Sequence, residues 1–296
     1  GLRSLRGGFL LKHYGYSAWQ RCFAIPAAIA IIGAIALFFT LKDTPSSVGL
    51  PEIEDLDKEE GKVNADEAPA SHPADLTGPA FKKFINKLVF ANPLIWILAV
   101  SNFCIYVVRF TILDWGATFL TQYKGMEIST AGTVVAASEL VGGILGMLVA
   151  GWFTDKFMKS RAHRTCFICT VGATLSFFLF WKSPEGAPWL SALFICLSSF
   201  FIYGPQALLG TAASQQATKY ACATANGILG IFGYASTAIS GVTFGYLADN
   251  YGWDSVFLVA VIIGLVGAAV VALMWKAPAD GYEKAEKLMN DMKTQN

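Results

Sequence analysis

An arginine stands at position 109 inside an apolar run, SNFCIYVVRFTILDW. Carrying a charged side chain to the centre of a bilayer costs roughly 2.5–3.5 kcal/mol on insertion scales, so such a residue faces a protein interior or a water-filled cavity. Asn102, Tyr106 and Arg109 are spaced i, i+4 and i+7, which places them on one face of a helix. A guanidinium is a planar, permanently charged fork suited to phosphate or carboxylate. Structural roles compete with that chemistry. Arg109 can pair with Asp114 or Glu139, or snorkel to the interface, because it lies late in its run. The residues alone leave these readings open.

Glu139, in AASELVGGILG, is the second ionisable group at membrane depth. It can bind a proton, pair with Arg109 or help position a substrate, and structural pairing is the plainest of the three. Tyr203, Gly204, Pro205 and Gln206 predict an interruption of their helix, since proline frees a backbone carbonyl and permits bending. Asn226 and Tyr234 lie eight residues apart, roughly on one face of a further helix. Asp155, Lys156, Lys159 and Arg161 crowd the turn GWFTDKFMKSRAHR, where an acid and several cations can lock neighbouring helix ends or simply anchor topology. His163 in the same turn reads as a solvated residue. Cys166 and Cys169 form a C-x-x-C, but they open an apolar helix with no second pair nearby, which argues against zinc or redox chemistry.

These residues need helices to hold them, and the composition supplies membrane helices. Of 296 residues 54% are hydrophobic and 15% charged, with a mean hydropathy of +0.50. A soluble domain carries nearer a quarter charged residues. The reading is an all-α polytopic membrane protein with about seven spans of roughly 20 residues. They fall near Phe23–Leu41, Leu94–Leu113, Ala131–Phe153, Thr165–Trp181, Trp189–Ala213, Cys222–Leu247 and Ser255–Trp275. Lys and Arg concentrate on one side, in Lys82, Lys83 and Lys87, then Lys156 to Arg164, then Lys219 and Lys276, which puts that side and residues 276–296 in the cytoplasm. Residues 1–22 read as a truncated preceding segment, because the chain opens on Gly1 and the basic GLRSLRGGFLLKHYGY fits neither a signal peptide nor a complete span. Residues 23–41 form one helix, and 42–93 a polar cytoplasmic linker with the acidic run EIEDLDKEE and a short amphipathic helix at 81–90. Residues 94–275 form a six-helix half.

The turn GWFTDKFMKSRAHR resembles the G-x-x-x-D-(R/K)-x-x-(R/K)-x-(R/K) loop signature of the major facilitator superfamily. KDTPSSVGLPEIE, NPLIWILAVSNFCIYVVRFTILDW, FIYGPQALLG and ANGILGIFGY followed by GYLADNYGWDSVF are similar to the organophosphate:phosphate antiporters within it, over nearly the whole chain from Trp19. The resemblance implies a major facilitator fold of twelve helices, of which this chain holds the sixth to the twelfth, with the N-terminal half missing. It implies that Arg109 is one of two arginines gripping a substrate phosphate, with the other in that absent half. Tyr106, Tyr203 and Tyr234 then line the site and Glu139 is its buried glutamate. One departure stands out: some hexose-phosphate carriers have A-D-G-I-K-G where this chain has Ala225-Asn226-Gly227-Ile228-Leu229-Gly230, so their specificity does not transfer.

The implied activity is exchange of an organophosphate (sugar phosphate, glycerol phosphate or phosphoglycerate) for inorganic phosphate by alternating access in a bacterial inner membrane. The substrate-binding set is Arg109, Tyr106, Asn102, Glu139, Tyr203, Gln206, Asn226 and Tyr234, and the conformational loop set is Asp155, Lys156 and Arg161. The expected partners are the phosphate compounds and the bilayer, with a monomeric whole, no nucleic acid, no cofactor and no metal. A non-transporting sugar-phosphate sensor acting on a sensor-kinase partner is the alternative, and a seven-helix receptor a third reading that the long linker opposes. No nucleophile–base motif, metal-spaced histidine set or phosphate-binding glycine loop points to an enzyme.

Overall fold

A computed structural model describes residues 19–41, 49, 78–184, 186–279 and 281–293, apart from the side chains of residues 19–23 and 219. The acidic run and most of the expected linker lie outside the described residues. So does the opening segment 1–18.

The chain divides into two compact units, residues 6–77 and the remainder. The first contributes α1 (Trp19–Thr40), with Pro26 inside it. Its apolar portion, Ala24–Thr40, is shorter than the spans of the second unit.

The second unit holds six helices long and apolar enough to cross a membrane: α3 (Pro93–Gln122), α4 (Ile128–Phe157), α5 (Ala162–Lys182), α6 (Pro188–Thr218), α7 (Tyr220–Tyr251) and α8 (Trp253–Ala272). Two amphipathic helices accompany them, α2 (Pro79–Ile85), extended by a π turn over Asn86–Phe90, and α9 (Tyr282–Lys293). Most spans run past the bounds hydropathy suggests. α3 continues from Leu113 to Gln122, because Asp114 and the polar residues after it lower hydropathy without ending the backbone ladder.

α3 is the most deeply embedded span, and α4, α6 and α7 carry broad outward apolar faces. Such faces suit lipid, where the helix ladder meets every backbone hydrogen bond internally. At one end of the unit a ring cluster closes the core: Phe119 packs against Phe180 and Phe257, and Phe177 stacks on Phe257. There Trp181 Nε1 donates to Asp254 Oδ1 at 2.6 Å, and Lys124 Nζ donates to the carbonyls of Trp181 and Ser183.

α4 and α6 approach closely. A Cβ built at Gly146 meets the backbone of Phe200, with its carbonyl carbon at 2.9 Å, so only glycine lets these helices touch.

Two predicted features differ. Pro205 does not interrupt α6, which stays helical to Thr218. The break is at Thr218 (φ 60, ψ 176), where the backbone leaves the helical region and turns within one residue into α7. Residues 282–293 do not form a loose tail. α9 buries Ala285, Met289 and Met292, spaced i, i+4 and i+7, and sits on the corner residues: Gly281 N donates to Gln215 O at 2.9 Å and Gln216 Nε2 to Pro278 O at 3.0 Å. α2 buries Phe84 against Tyr220 beside the same corner.

Candidate functional site

The site is assembled from α3, α4, α6 and α7. α3 presents Asn102, Tyr106 and Arg109 on successive turns, as their spacing predicts. Asn102 is 5% exposed and its Nδ2 donates to Leu229 O on α7 at 2.7 Å, which ties the two helices together. Tyr106 packs on Phe110 at 5.8 Å and on Tyr234 at 6.4 Å between ring centroids, so α7 forms the neighbouring wall. Tyr234 is otherwise the open edge of the cluster, at 72% exposed.

Arg109 Cζ lies 5.1 Å from the Tyr203 ring centroid, 5.4 Å from Phe110 and 5.6 Å from Tyr106. Phe110 was not among the predicted residues; its position directly after the arginine was the only signal. Aromatic faces attract a cation without neutralising it. Arg109 Nη2 donates to Tyr203 Oη at 3.2 Å, and Tyr203 Oη donates to Glu139 Oε2 at 2.5 Å. Glu139, 9% exposed, therefore reaches the arginine only through a tyrosine hydroxyl.

Neither Asp114 nor Glu139 forms the direct ion pair that the sequence left open. Among the described residues an ion pair forms on α9, between Lys287 and Glu283 at 2.7 Å. Arg109 Nε is buried and, among the described residues, has no hydrogen-bond partner. A guanidinium with π faces around it, one neutral hydroxyl on it and an unmet donor retains most of its attraction for an anion.

Both carboxylates sit at π turns. Asp114 lies in Thr111–Trp115, which begins two residues after Arg109, and Glu139 in Ser138–Gly142. A π turn widens an α-helix by one residue and is frequent at functional sites. Here the second turns Glu139 inward toward α6.

The remaining predicted residues divide. Gln206, one turn beyond Tyr203 on α6, has Oε1 buried without a partner. Asn226 is not in the cluster. Its Nδ2 donates to Ser214 Oγ on α6 at 2.8 Å and to Cys222 O at 3.0 Å. Ser214 lies eleven residues from Tyr203, about 16 Å along the helix axis. Eight residues turn a helix by roughly 80° beyond two full revolutions, so Asn226 and Tyr234 do not share one narrow face.

In the turn between α4 and α5, Asp155 Oδ1 accepts from Ser160 Oγ at 3.3 Å, and Lys156 Nζ lies over the rings of Trp152 and Phe157 at 5.0 and 5.8 Å. Arg161 is the residue before α5. Among the described residues no ion pair joins them. The cross-helix tie is neutral: Thr154 Oγ1 donates to Thr165 Oγ1 at 2.8 Å. His163 is buried rather than solvated, because α5 starts at Ala162 and its first turn faces inward. Cys166 and Cys169 are free, buried thiols in the packed face of α5.

Six apolar spans, with a partly buried arginine set among α3, α4 and α6, define a polytopic membrane protein. Residues 4–241 match the Major Facilitator Superfamily, and the chain belongs to that family. It is 31% identical over 275 residues to a probable hexose phosphate transport protein of Chlamydia trachomatis, covering 91% of this chain and 59% of the relative. It is 30% identical over 261 residues to a glycerol-3-phosphate transporter of Bacillus subtilis (88% and 57% covered) and 31% identical over 259 residues to the membrane sensor protein UhpC of Escherichia coli (88% and 56%). The chain thus spans less than two thirds of the length of these relatives.

Proposed function

We propose that this chain supplies one half of a carrier that exchanges an organophosphate for inorganic phosphate by alternating access. The observation that supports it best is Arg109: partly buried, caged by three rings, hydrogen-bonded to one neutral hydroxyl and contacted by no carboxylate among the described residues. A phosphate dianion offers that fork two parallel acceptor oxygens. Its binding gives the guanidinium charged acceptors, while Tyr203 and Glu139 hold it in register. Tyr106 and Tyr234 pack together beside it, and Asn102 holds α3 against α7.

In this reading residues 94–275 are one six-helix half, and a second cation lies in the stretch of the relatives that has no counterpart here. A dianion between two cations draws the halves together, whereas two bare cations repel, so closure requires cargo and exchange is obligatory. The contact of α9 with the α2 region supports a reading in which both ends of the six-span unit share one side, and the lysine distribution makes that side cytoplasmic.

The test is phosphate self-exchange by the full-length protein in proteoliposomes, wild type against Arg109→Lys. Lysine keeps the charge and loses the fork, and exchange should fall at least about tenfold. Undiminished exchange overturns the role given to Arg109. Substrate binding without counterflow in the wild type overturns the carrier and leaves a sensor.

A further inference from the structure

A second site lies away from the arginine, at the end of the unit where α2 meets the start of α7. A cavity of about 870 Å³ opens there, lined by Lys82, Lys83, Phe81, Phe90, Tyr220 and Thr224 among others. The helix that forms its outer wall is two-sided. Phe84, Leu88 and Val89 are fully buried against the unit, while Phe81 and Phe90 stay exposed beside the lysines. A helix with one apolar face packed on protein still exposes two phenylalanines, and it does so where two membrane spans begin, at Pro93 and at Tyr220. Trp96, one turn into α3, donates its Nε1 to Phe90 O at 2.8 Å, the posture of an indole at a membrane–water boundary.

We infer that this cavity binds an anionic phospholipid, with the phosphate headgroup on Lys82 and Lys83 and the upper acyl chains against Phe81 and Phe90. The volume is within the range of small-molecule sites, and its lining joins two lysines with Phe81, Ile85 and Phe90, the cationic and apolar groups that a lipid needs. Among the described residues no ion pair occupies either lysine, so both ammonium groups are available to a headgroup. Free phosphate would meet the lysines but gain nothing from the two exposed rings, which is why the lipid is the occupant assigned.

Native mass spectrometry of the purified full-length protein tests this, with phosphatidylglycerol and phosphatidylcholine offered at equal concentration. Each lysine near an anionic surface is worth about a fivefold preference, so wild type should retain phosphatidylglycerol about 25-fold over phosphatidylcholine. The Lys82→Gln/Lys83→Gln double variant should lose that preference, and Lys182→Gln, at a distant span end, should keep it. Should the double variant fail to fold, the wild-type preference read across ionic strength decides: a headgroup held by charge must lose its advantage as salt rises. Equal retention of the two lipids, retention by the double variant or a salt-independent preference overturns the proposal. Displacement of phosphatidylglycerol by millimolar inorganic phosphate also overturns it, by making the site one for the free ion.

Discussion

Tyr203→Phe removes one oxygen and leaves the ring, which isolates the part of the site that joins three helices. The hydroxyl donates to Glu139 at 2.5 Å and accepts from Arg109 at 3.2 Å. Hydrogen bonds to charged groups contribute about 1.5–3 kcal/mol, and stranding a buried charged acceptor costs at the upper end of that range or beyond. Contact of the arginine with the ring face survives in phenylalanine and moderates the loss on that side. The variant should therefore be destabilised by about 2–3 kcal/mol. Glu139→Gln should cost less, since its amide oxygen still accepts. If the two residues act through one bond, the double variant should cost less than the sum of the singles by about 1.5 kcal/mol or more. Thermal unfolding of the four proteins in one detergent reads this directly, with a fall of about 5–10 °C expected for Tyr203→Phe. Strict additivity, or an unchanged midpoint in both single variants, would refute the relay and leave Arg109 held by its rings alone.

Gly146→Ala should destabilise by about 1–3 kcal/mol by forcing α4 off the Phe200 backbone, whereas Gly227→Ala, with open space around its Cβ, should be near neutral in the same unfolding assay. Gly281→Ala drives a methyl into the Gln216 backbone, and the amides from Ala285 to Met292 should lose hydrogen-exchange protection while those of α3 keep theirs. Lys287 holds the Glu283 carboxyl below its usual range, and Glu283 holds the Lys287 ammonium above its own. The pair's contribution is thus present at neutral pH, lost on acidification through the lowered Glu283 value and lost on alkalinisation through the raised Lys287 value. Both side chains are exposed (72% and 83%), so that contribution is small and Glu283→Gln should lower the thermal midpoint at pH 7 by less than about 1 °C.

The spans were legible because length and hydropathy are dictated by bilayer thickness. Arg109 and Glu139 were legible because a charge at that depth needs a reason. The i, i+4, i+7 spacing placed Asn102, Tyr106 and Arg109 correctly because no π turn lies between them; the first begins at Thr111. Relations between helices were harder to read. Nothing in the residue types told that Asn226 would bond Ser214, or that Tyr203 would stand between an arginine and a glutamate, because both depend on how far neighbouring helices slide. The Thr218 corner was hidden for another reason. Threonine is disfavoured at positive φ, and the bend signal of Pro205 nearby pointed to the wrong residue. His163 misled because its charged neighbours made the turn look wet, when α5 had already begun.

The corner at Thr218 also constrains how the protein reaches the membrane. α6 and α7 run 31 and 32 residues with a single residue between them. At about 1.5 Å per residue each is about 46–48 Å long, well over the ~30 Å hydrocarbon core, so the bend can stand in the headgroup layer without leaving peptide groups in lipid. No soluble loop separates the two helices, and so neither can wait in water while the other crosses. They enter the bilayer as one hairpin. The segment that packs on that corner, α9, follows α6, α7 and α8 in the chain, so its docking on Gln215 and Gln216 comes after those spans are made.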